Sequence, residues 1–453
     1  MRVLLIAGYE LGHQPLHLAM PAARLRDRGH DVRCADLSLD PLDEDTISWA
    51  ERIAISVPMH TALRIARTTI DALRAIGCTV PIACYGLYAS PAADVADRVL
   101  TGEVDRALVD WIDGQDDGIV VHLGREAAEA NALVPARDLL PSLDRYVRLV
   151  DGAATRIVGS LEASHGCAHR CRHCPVPVIY DGRLRLVHVD TVLTDAAQQI
   201  AAGAQHLSFG DPDFLNAPRH ALRVVRALHD RFPEVTFDCT TKVEHVLRHA
   251  DLWPELAASG CLFVVSAFES VDDETLRRLD KGHTTAEAAA AVVVLRDHGI
   301  PVRPSWMPFT PWTTLEHIQD LLDFVATHDL VGNVDPVQYT IRLLLPQESL
   351  LLDDLDLVTH LGDYDAGRAS YPWHATDPTM DHLQVALATL VEHRQRQGDS
   401  IVTIYHALRD SVGLAPIEID ETAATAVPHL TEPWFCCAEP TDHQLLTISA
   451  PTP

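Results

Sequence analysis

The sequence predicts an α/β protein: a doubly wound parallel sheet, then a partial (β/α) barrel, then a mostly helical C-terminal region. Three observations predict it. Short β-type runs alternate with helix-type runs from Met1 to about Gly124. A second series of strand-like runs begins after Gly152, and beyond Leu350 an Asp-rich loop and amphipathic helices replace it. Such alternation is the pattern of parallel strands covered by helices. The expected units are residues 1–124, a linker over 125–152, a barrel over 153–350 and a C-terminal region over 351–453.

In the first unit RVLLIA, DVRCADL, RIAISVP and VPIACYG read as strands, with PLHLAMPAARLRDRG and HTALRIARTTIDALRAIG as helices between them. Ligands of such a sheet bind beyond the carboxyl ends of its strands. Here those are the loops Tyr9–Gln14, Ser56–Thr61 and Tyr85–Ser90. The linker carries Pro141 and charged helical patterns. The second unit offers six strand-like runs, TRIVGSLEAS, QHLSFGD, VTFDCTT, LFVVSAFES, VRPSWMPF and PVQYTIRLLL. Most are separated by amphipathic stretches such as HTTAEAAAAVVVLRDHG, and reactive residues of a (β/α) barrel belong at the strands' carboxyl ends. MDHLQVALATLVEHRQRQ and IVTIYHALRDSVG read as helices of the last unit, before a loop-rich tail.

The 453 residues are 47% apolar and 22% charged, a globular composition that excludes wholesale disorder. With 36 Lys+Arg against 64 Asp+Glu the net charge is −28, which repels phosphate backbones and anionic lipid. Neither nucleic acid nor membrane is expected as a partner. The first apolar run is too short for a secretory core or a span, so the cytoplasm is the expected compartment. The ten cysteines then point to metal, redox chemistry or burial rather than a disulfide framework.

Three of them form CxxxCxxC in SHGCAHRCRHCPVPV: Cys167, Cys171 and Cys174. Three soft, anionic thiolates can hold three irons of a cubane, leaving the fourth iron open. Zinc prefers CxxC pairs completed by two more ligands; His165, His169 or His173 could supply one, but no second pair follows. With this triplet after the first barrel strand, the chain resembles the radical S-adenosylmethionine (SAM) superfamily. The resemblance implies a [4Fe–4S] cluster whose open iron chelates SAM.

Further segments fit that resemblance. FGDPDFLN places Gly210, Asp211 and Asp213 where the family binds the SAM amino group, and carboxylates suit an ammonium. A turn with a helix cap is the rival reading. SAFESVDDETLRRLDKGHT places Glu269 and Ser270 where a strand-end acid meets the SAM ribose, although Glu269 could instead cap the following helix. Arg303 could pair with the SAM carboxylate. The family usually has an aromatic residue before the last cysteine; here His173 stands there, and an imidazole can still stack on adenine.

A Rossmann-like sheet ahead of such a barrel resembles cobalamin-binding radical SAM enzymes. The sequence lacks DxHxxG, the signature of a histidine that replaces the lower axial base; His13 is the nearest candidate for a cobalt-side ligand. Either cobalamin binds without a protein ligand, or the sheet holds something else. Near the C-terminus EPWFCCAEPTDH resembles the tail of the CUAEP/CCAEP-tail radical SAM family. There the second cysteine can be selenocysteine, which implies chemistry for Cys437 beside Cys436. Adjacent thiols can hold a thiophilic centre, ligate a cluster or cycle through a disulfide. Cys34, Cys78, Cys84, Cys239 and Cys261 lie in or beside apolar runs and are expected to be buried.

The expected function is reductive SAM cleavage followed by radical modification of a small molecule, with cobalamin-assisted methylation as one branch. A flavodoxin or ferredoxin would supply the electron. The alternatives are transfer of a 3-amino-3-carboxypropyl group to a thiophilic acceptor such as trivalent arsenic, and a non-catalytic zinc or thiophilic-metal sensor. Lys242, Glu244, His245, Trp306, Gln338, Tyr339 and Arg342 are candidate substrate contacts.

Overall fold

The computed structural model describes residues 1–102, 104–115, 120–123 and 133–432. The first unit runs β1 (Arg2–Ala7), α1 (Leu16–Asp27), β2 (Asp31–Asp36), α2 (Glu44–Trp49), β3 (Arg52–Ser56), α3 (His60–Ala75), β4 (Ile82–Tyr85), β5 (Arg98–Gly102), α4 (Asp105–Ile112) and β6 (Val120–Leu123). Its sheet is parallel throughout, in the order β2-β1-β3-β4-β5-β6. The order reverses between β1 and β3, the switch point at which such sheets bind ligands. Apolar residues fill both faces: Leu4, Ile6, Ile53 and Ile55 pack one way, and Val3, Leu5, Ala54 and Ala83 the other.

The second unit opens with the hairpin β7 (Arg148–Asp151) and β8 (Ala154–Leu161), followed by β9 (Ser164–Gly166), α5 (Val176–Tyr180) and β10 (Leu184–Leu186). Then come α6 (Val189–Ala201), β11 (His206–Phe209), α7 (Pro218–Arg231), β12 (Thr236–Thr240), α8 (Val243–Arg248), α9 (Trp253–Ala258), β13 (Cys261–Glu269), α10 (Asp273–Arg278), α11 (Thr285–Asp297), β14 (Val302–Trp306) and α12 (Leu315–Thr327). Strands β8, β11, β12, β13 and β14 are parallel neighbours, the partial barrel the sequence predicts. Side chains alternate across the sheet as the strand pleat demands. Leu207, Phe209 and Phe237 join the helix-side core, whereas His206, Ser208 and Asp238 form a buried polar row on the other face. Helix α10 is capped by Asp272 and α12 by Thr314, and α11 carries a full capping box of Thr284 and Glu287.

The sixth expected strand is not one. Pro336 starts a 3₁₀ turn over Pro336–Thr340, and the run forms no strand, its Arg342 making an isolated bridge with Phe309. A proline lacks the N–H a ladder needs. Here Gln338 uses its side chain instead, accepting from Trp306 N at 3.0 Å.

Among the described residues the C-terminal region holds α13 (Leu355–Val358), α14 (Pro378–Arg396), α15 (Ile401–Ser411), α16 (Glu421–Thr425) and β15 (His429–Leu430), which returns to pair antiparallel with β7. That return was not legible in advance. Among the described residues no helix is long and apolar enough to cross a membrane.

The two sheets are tied together through the segment before the barrel. Arg137, buried, binds Asp195 of α6 twice, at 3.0 and 2.9 Å, donates to the carbonyl of Ser160 at 2.6 Å, and reaches the carbonyl of Gln14 at 3.2 Å. Tyr146 donates to Asp36 at 2.9 Å, and Val147 N donates to Gly12 O. The loop after β1 is thereby fixed against the barrel.

Candidate active site

The cysteine loop is shaped from its first residue. Gly166 has φ +80°, and a Cβ there would meet the Arg183 carbonyl and come within 2.6 Å of the Tyr180 ring. Only glycine fits where β9 meets β10 and the chain turns into Cys167. Asp211 holds the approach: it accepts from Ala163 N at 2.8 Å and from the Ser164 hydroxyl at 2.6 Å. Burial pushes the Asp211 carboxyl up to about 6, against these hydrogen bonds. Asn216 supports Cys167, donating to its sulfur at 3.4 Å and accepting from Ala168 N at 3.1 Å. Arg172 N donates to Leu279 O, fastening the loop to the turn after α10.

Cys167 and Cys171 are buried and Cys174 half-buried, and all three line one cavity. Burial raises the Cys167 thiol, so a metal must displace its proton to bind.

Glu269 ends β13, at φ +65° and beside a register shift in the β13–β14 pairing. The irregularity turns its carboxylate into the cavity, 3.0 Å from Lys281 Nζ and 3.3 Å from His173 Nε2. Burial would raise this carboxyl, but the Lys281 ammonium and His173 outweigh it and hold the pKa well below the usual carboxylate range. His173 thus meets the expected ribose acid directly.

The other expected SAM contacts divide. Gly210 and Asp211 line the cavity, though Asp211 is engaged with the loop as described. Asp213 is fully buried and lies outside the lining; its Oδ1 accepts from the Thr241 hydroxyl and Leu215 N. Ser270 accepts from Asp272 N in a turn and is likewise outside the lining. Arg303 lies outside the lining and is taken up by Asp335 at 2.8 Å, although it shares a face of β14 with the cavity-lining Ser305 two residues on. Of the candidate substrate contacts, Lys242, Trp306 and Gln338 line the cavity. Glu244, His245 and Tyr339 do not, and Arg342 is consumed by Asp381 and the Trp373 ring.

The opposite wall comes from the first sheet: Glu10, Leu11 and His13 after β1, Pro58 and Met59 after β3, Gly86 to Tyr88 after β4, and Gly102 and Val104 after β5. The last pair was not expected. The cavity between the walls measures about 400 Å³. Gly86 has φ +119°, and a Cβ there would lie 2.8 Å from Val57 O. His13 is half-buried, desolvation lowers its pKa, and its buried Nδ1 makes no hydrogen bond among the described residues. A row of alternating acid and imidazole links the walls: Glu10 to His17 at 2.9 Å, His17 to Glu162 at 4.0 Å, and Glu162 to His165 at 3.3 Å. Burial raises Glu162 to about 7.

Sequence reasoning passed over Lys281, yet a signal existed. Of the 36 lysines and arginines only two are lysines, Lys242 and Lys281. Both are buried, 6% and 2% exposed, and both line this cavity. Cys84, Cys239 and Cys261 are buried as expected, while Cys34 and Cys78 are half-buried. Cys436 and Cys437 lie outside the described residues.

Residues 161–325 match the model of the radical SAM superfamily. The hopanoid C-3 methylase of Methylococcus capsulatus is 23% identical over 327 residues, 66% of this chain and 62% of that protein. The ribosomal protein uS12 methylthiotransferase RimO of Bdellovibrio bacteriovorus is 25% identical over 190 residues, 38% of this chain and 41% of its own. The chain thus spans less than two thirds of these relatives. Among solved structures, the cobalamin-dependent SAM radical enzyme OxsB, with aqua-cobalamin and SAM bound, superposes with a TM-score of 0.66 at 15% identity, covering 87% of this chain and 67% of that one. The radical SAM methyltransferase TsrM from Kitasatospora setae, with cobalamin and a [4Fe–4S] cluster, gives 0.56 at 18% identity, covering 72% and 73%. The chain carries a radical SAM domain, set behind a parallel sheet in the architecture of the cobalamin-dependent members of that superfamily.

Proposed function

We propose that this protein reductively cleaves SAM at a [4Fe–4S] cluster on Cys167, Cys171 and Cys174 to modify a small molecule, with cobalamin-assisted methylation as the favoured reaction. One observation carries the reading: a single cavity has the three thiols on one wall and the switch-point loops of the parallel sheet on the other. When bound, the cluster supplies an electron and an open iron for SAM, and cobalamin supplies a methyl carrier. Solved relatives of this architecture hold those groups.

The chain's own residues then have defined work. Asn216 and Asp211 keep the cysteine loop in place. Glu269, kept ionised by Lys281, offers an acceptor to the ribose hydroxyls, and His173 presents a flat ring beside it. The Tyr9–Gln14 and Tyr85–Ser90 loops enclose the corrin side, with His13 the residue nearest a cobalt role. Lys242 and Gln338 face the space left for substrate. A flavodoxin or ferredoxin of the cytoplasm is the reducing partner. Cys436 and Cys437 act on the substrate or in redox exchange.

Anaerobic reconstitution with iron, sulfide and cobalamin, then SAM and dithionite, tests this. Four irons per chain, bound cobalt and 5′-deoxyadenosine or S-adenosylhomocysteine among the products support it. 5′-Methylthioadenosine would instead support 3-amino-3-carboxypropyl transfer. Replacing all three cysteines with alanine should abolish iron loading and SAM turnover; persistence of both would overturn the proposal.

A further inference from the structure

Beside the cysteine loop, three segments bring metal-binding side chains together. His169 comes from the loop itself, Asp213 from the segment after β11, and His245 from α8; one ligand atom of each lies within 4.8 Å of the others. His169 Nε2 stands 3.3 Å from His245 Nε2 and 3.6 Å from Asp213 Oδ2. Ligands about 2.0–2.1 Å from a tetrahedral zinc are about 3.3 Å apart, so the two edges that meet at His169 Nε2 match those of one coordination polyhedron in which His245 binds through Nε2.

One buried contact shows that the group lacks something. Asp213 is 0% exposed and His245 4% exposed, yet Asp213 Oδ2 and His245 Nδ1 are buried without a hydrogen bond. They approach to 2.8 Å, but not along a hydrogen-bonding direction. A buried polar atom left so is costly unless a partner arrives. The outer contacts are those of a metal site. Asp213 spends Oδ1 on Thr241 and Leu215 N, which aims Oδ2 inward, and His169 turns Nδ1 towards Glu244 Oε2 at 3.6 Å. Carboxylates behind ligating imidazoles orient them and raise their basicity. Lys242 Nζ, 3.8 Å from Glu244, and Arg248, paired with the same carboxylate, balance the charges of Asp213 and Glu244, so the ligand set rather than net charge must hold the ion.

We propose that His169, Asp213 and His245 bind one borderline divalent cation of the zinc class, separate from the cysteine trio. Two imidazoles and a carboxylate suit such an ion. The ion would clasp the cysteine loop to β11 and α8. This inference does not depend on SAM chemistry.

The test uses the full chain, reconstituted anaerobically and then equilibrated with zinc. Expected are one zinc per chain beyond the cluster iron and a zinc absorption-edge spectrum with nitrogen and oxygen at about 2.0–2.1 Å and no sulfur shell near 2.3 Å. Asp213→Asn and His169→Gln should each weaken zinc at least tenfold while iron and sulfide stay unchanged. Glu244→Gln, outside the ligand set, should weaken it about 10- to 100-fold. Should Asp213→Asn misfold, His169→Gln on the partly exposed loop decides. Zinc ligated by sulfur, zinc lost only with the cysteines, or affinity indifferent to His169→Gln would each overturn the proposal.

Discussion

Lys281→Met removes the positive partner of Glu269 while keeping the side chain's length. The pair is 3.0 Å apart, and Lys281 is 2% exposed. At that separation and an effective dielectric near 20, the attraction is about 5.5 kcal/mol. Breaking a buried pair by removing one member costs about 3–5 kcal/mol, because the other charge stays behind. The folded-state pKa of Glu269 lies below its ordinary value of 4.5, so the pair's stabilisation is present above that value. It is lost as pH falls through the folded value. Without Lys281, burial, the largest influence on this carboxyl, is opposed by His173 alone, so its pKa rises and Glu269 becomes a poorer acceptor for a hydroxyl. Urea denaturation of the apo-protein at pH 7 should show a loss of about 3–5 kcal/mol. Calorimetric titration should show SAM binding weakened by about fivefold or more, the worth of a charged over a neutral hydrogen bond. The double variant Lys281→Met, Glu269→Gln should recover part of the stability but not the affinity. A loss under about 1 kcal/mol with unchanged SAM binding would refute the reasoning.

Arg137→Met leaves Asp195 buried without its guanidinium partner and cuts the tie between the loop after β1 and the barrel; denaturation should register a loss of about 3–5 kcal/mol. Proteolysis near Gln14 should accelerate in the same variant. Asp211, raised by burial to about 6, favours the protonated folded state, so the wild type should lose stability relative to Asp211→Asn as pH rises from 4 to 7. The differential is about 3 kcal/mol from the distance between that value and 3.8, and a flat difference between the two proteins would contradict it. Gly86→Ala forces a left-handed φ of +119° on a side chain 2.8 Å from Val57 O; a cost of about 1–3 kcal/mol and reduced cobalt retention are expected.

The fold was legible wherever hydrophobic period and turn chemistry agreed. RVLLIA and VTFDCTT have no helical reading, and they stand as β1 and β12. PVQYTIRLLL failed because an apolar run cannot show that Gln338 will replace a ladder bond with its side chain. The cysteine trio was legible because its spacing is local. Arg303 misled because the strand period settles only the face, which Arg303 shares with the cavity-lining Ser305; its partner Asp335 stands 32 residues on and no local rule announces it. Lys281 stands twelve residues after Glu269, beyond any local rule, so the pair exists only once α10 has folded back.

The choice of lysine itself still carries information. A chain that meets its need for surface cations with arginine gains little from a lone lysine outside, since exposed ion pairs are worth about 0–1 kcal/mol whichever cation makes them. Inside a narrow cavity the two differ: guanidinium is a planar fork that needs several acceptors, whereas ammonium is a compact charge that three can satisfy. Lys281 uses its charge on Glu269 at 3.0 Å, but Lys242 finds its nearest ion-pair carboxylate, Glu244, only at 3.8 Å, and that group already faces Arg248 and His169. One ammonium therefore serves the architecture, and the other faces the cavity with its charge only partly compensated.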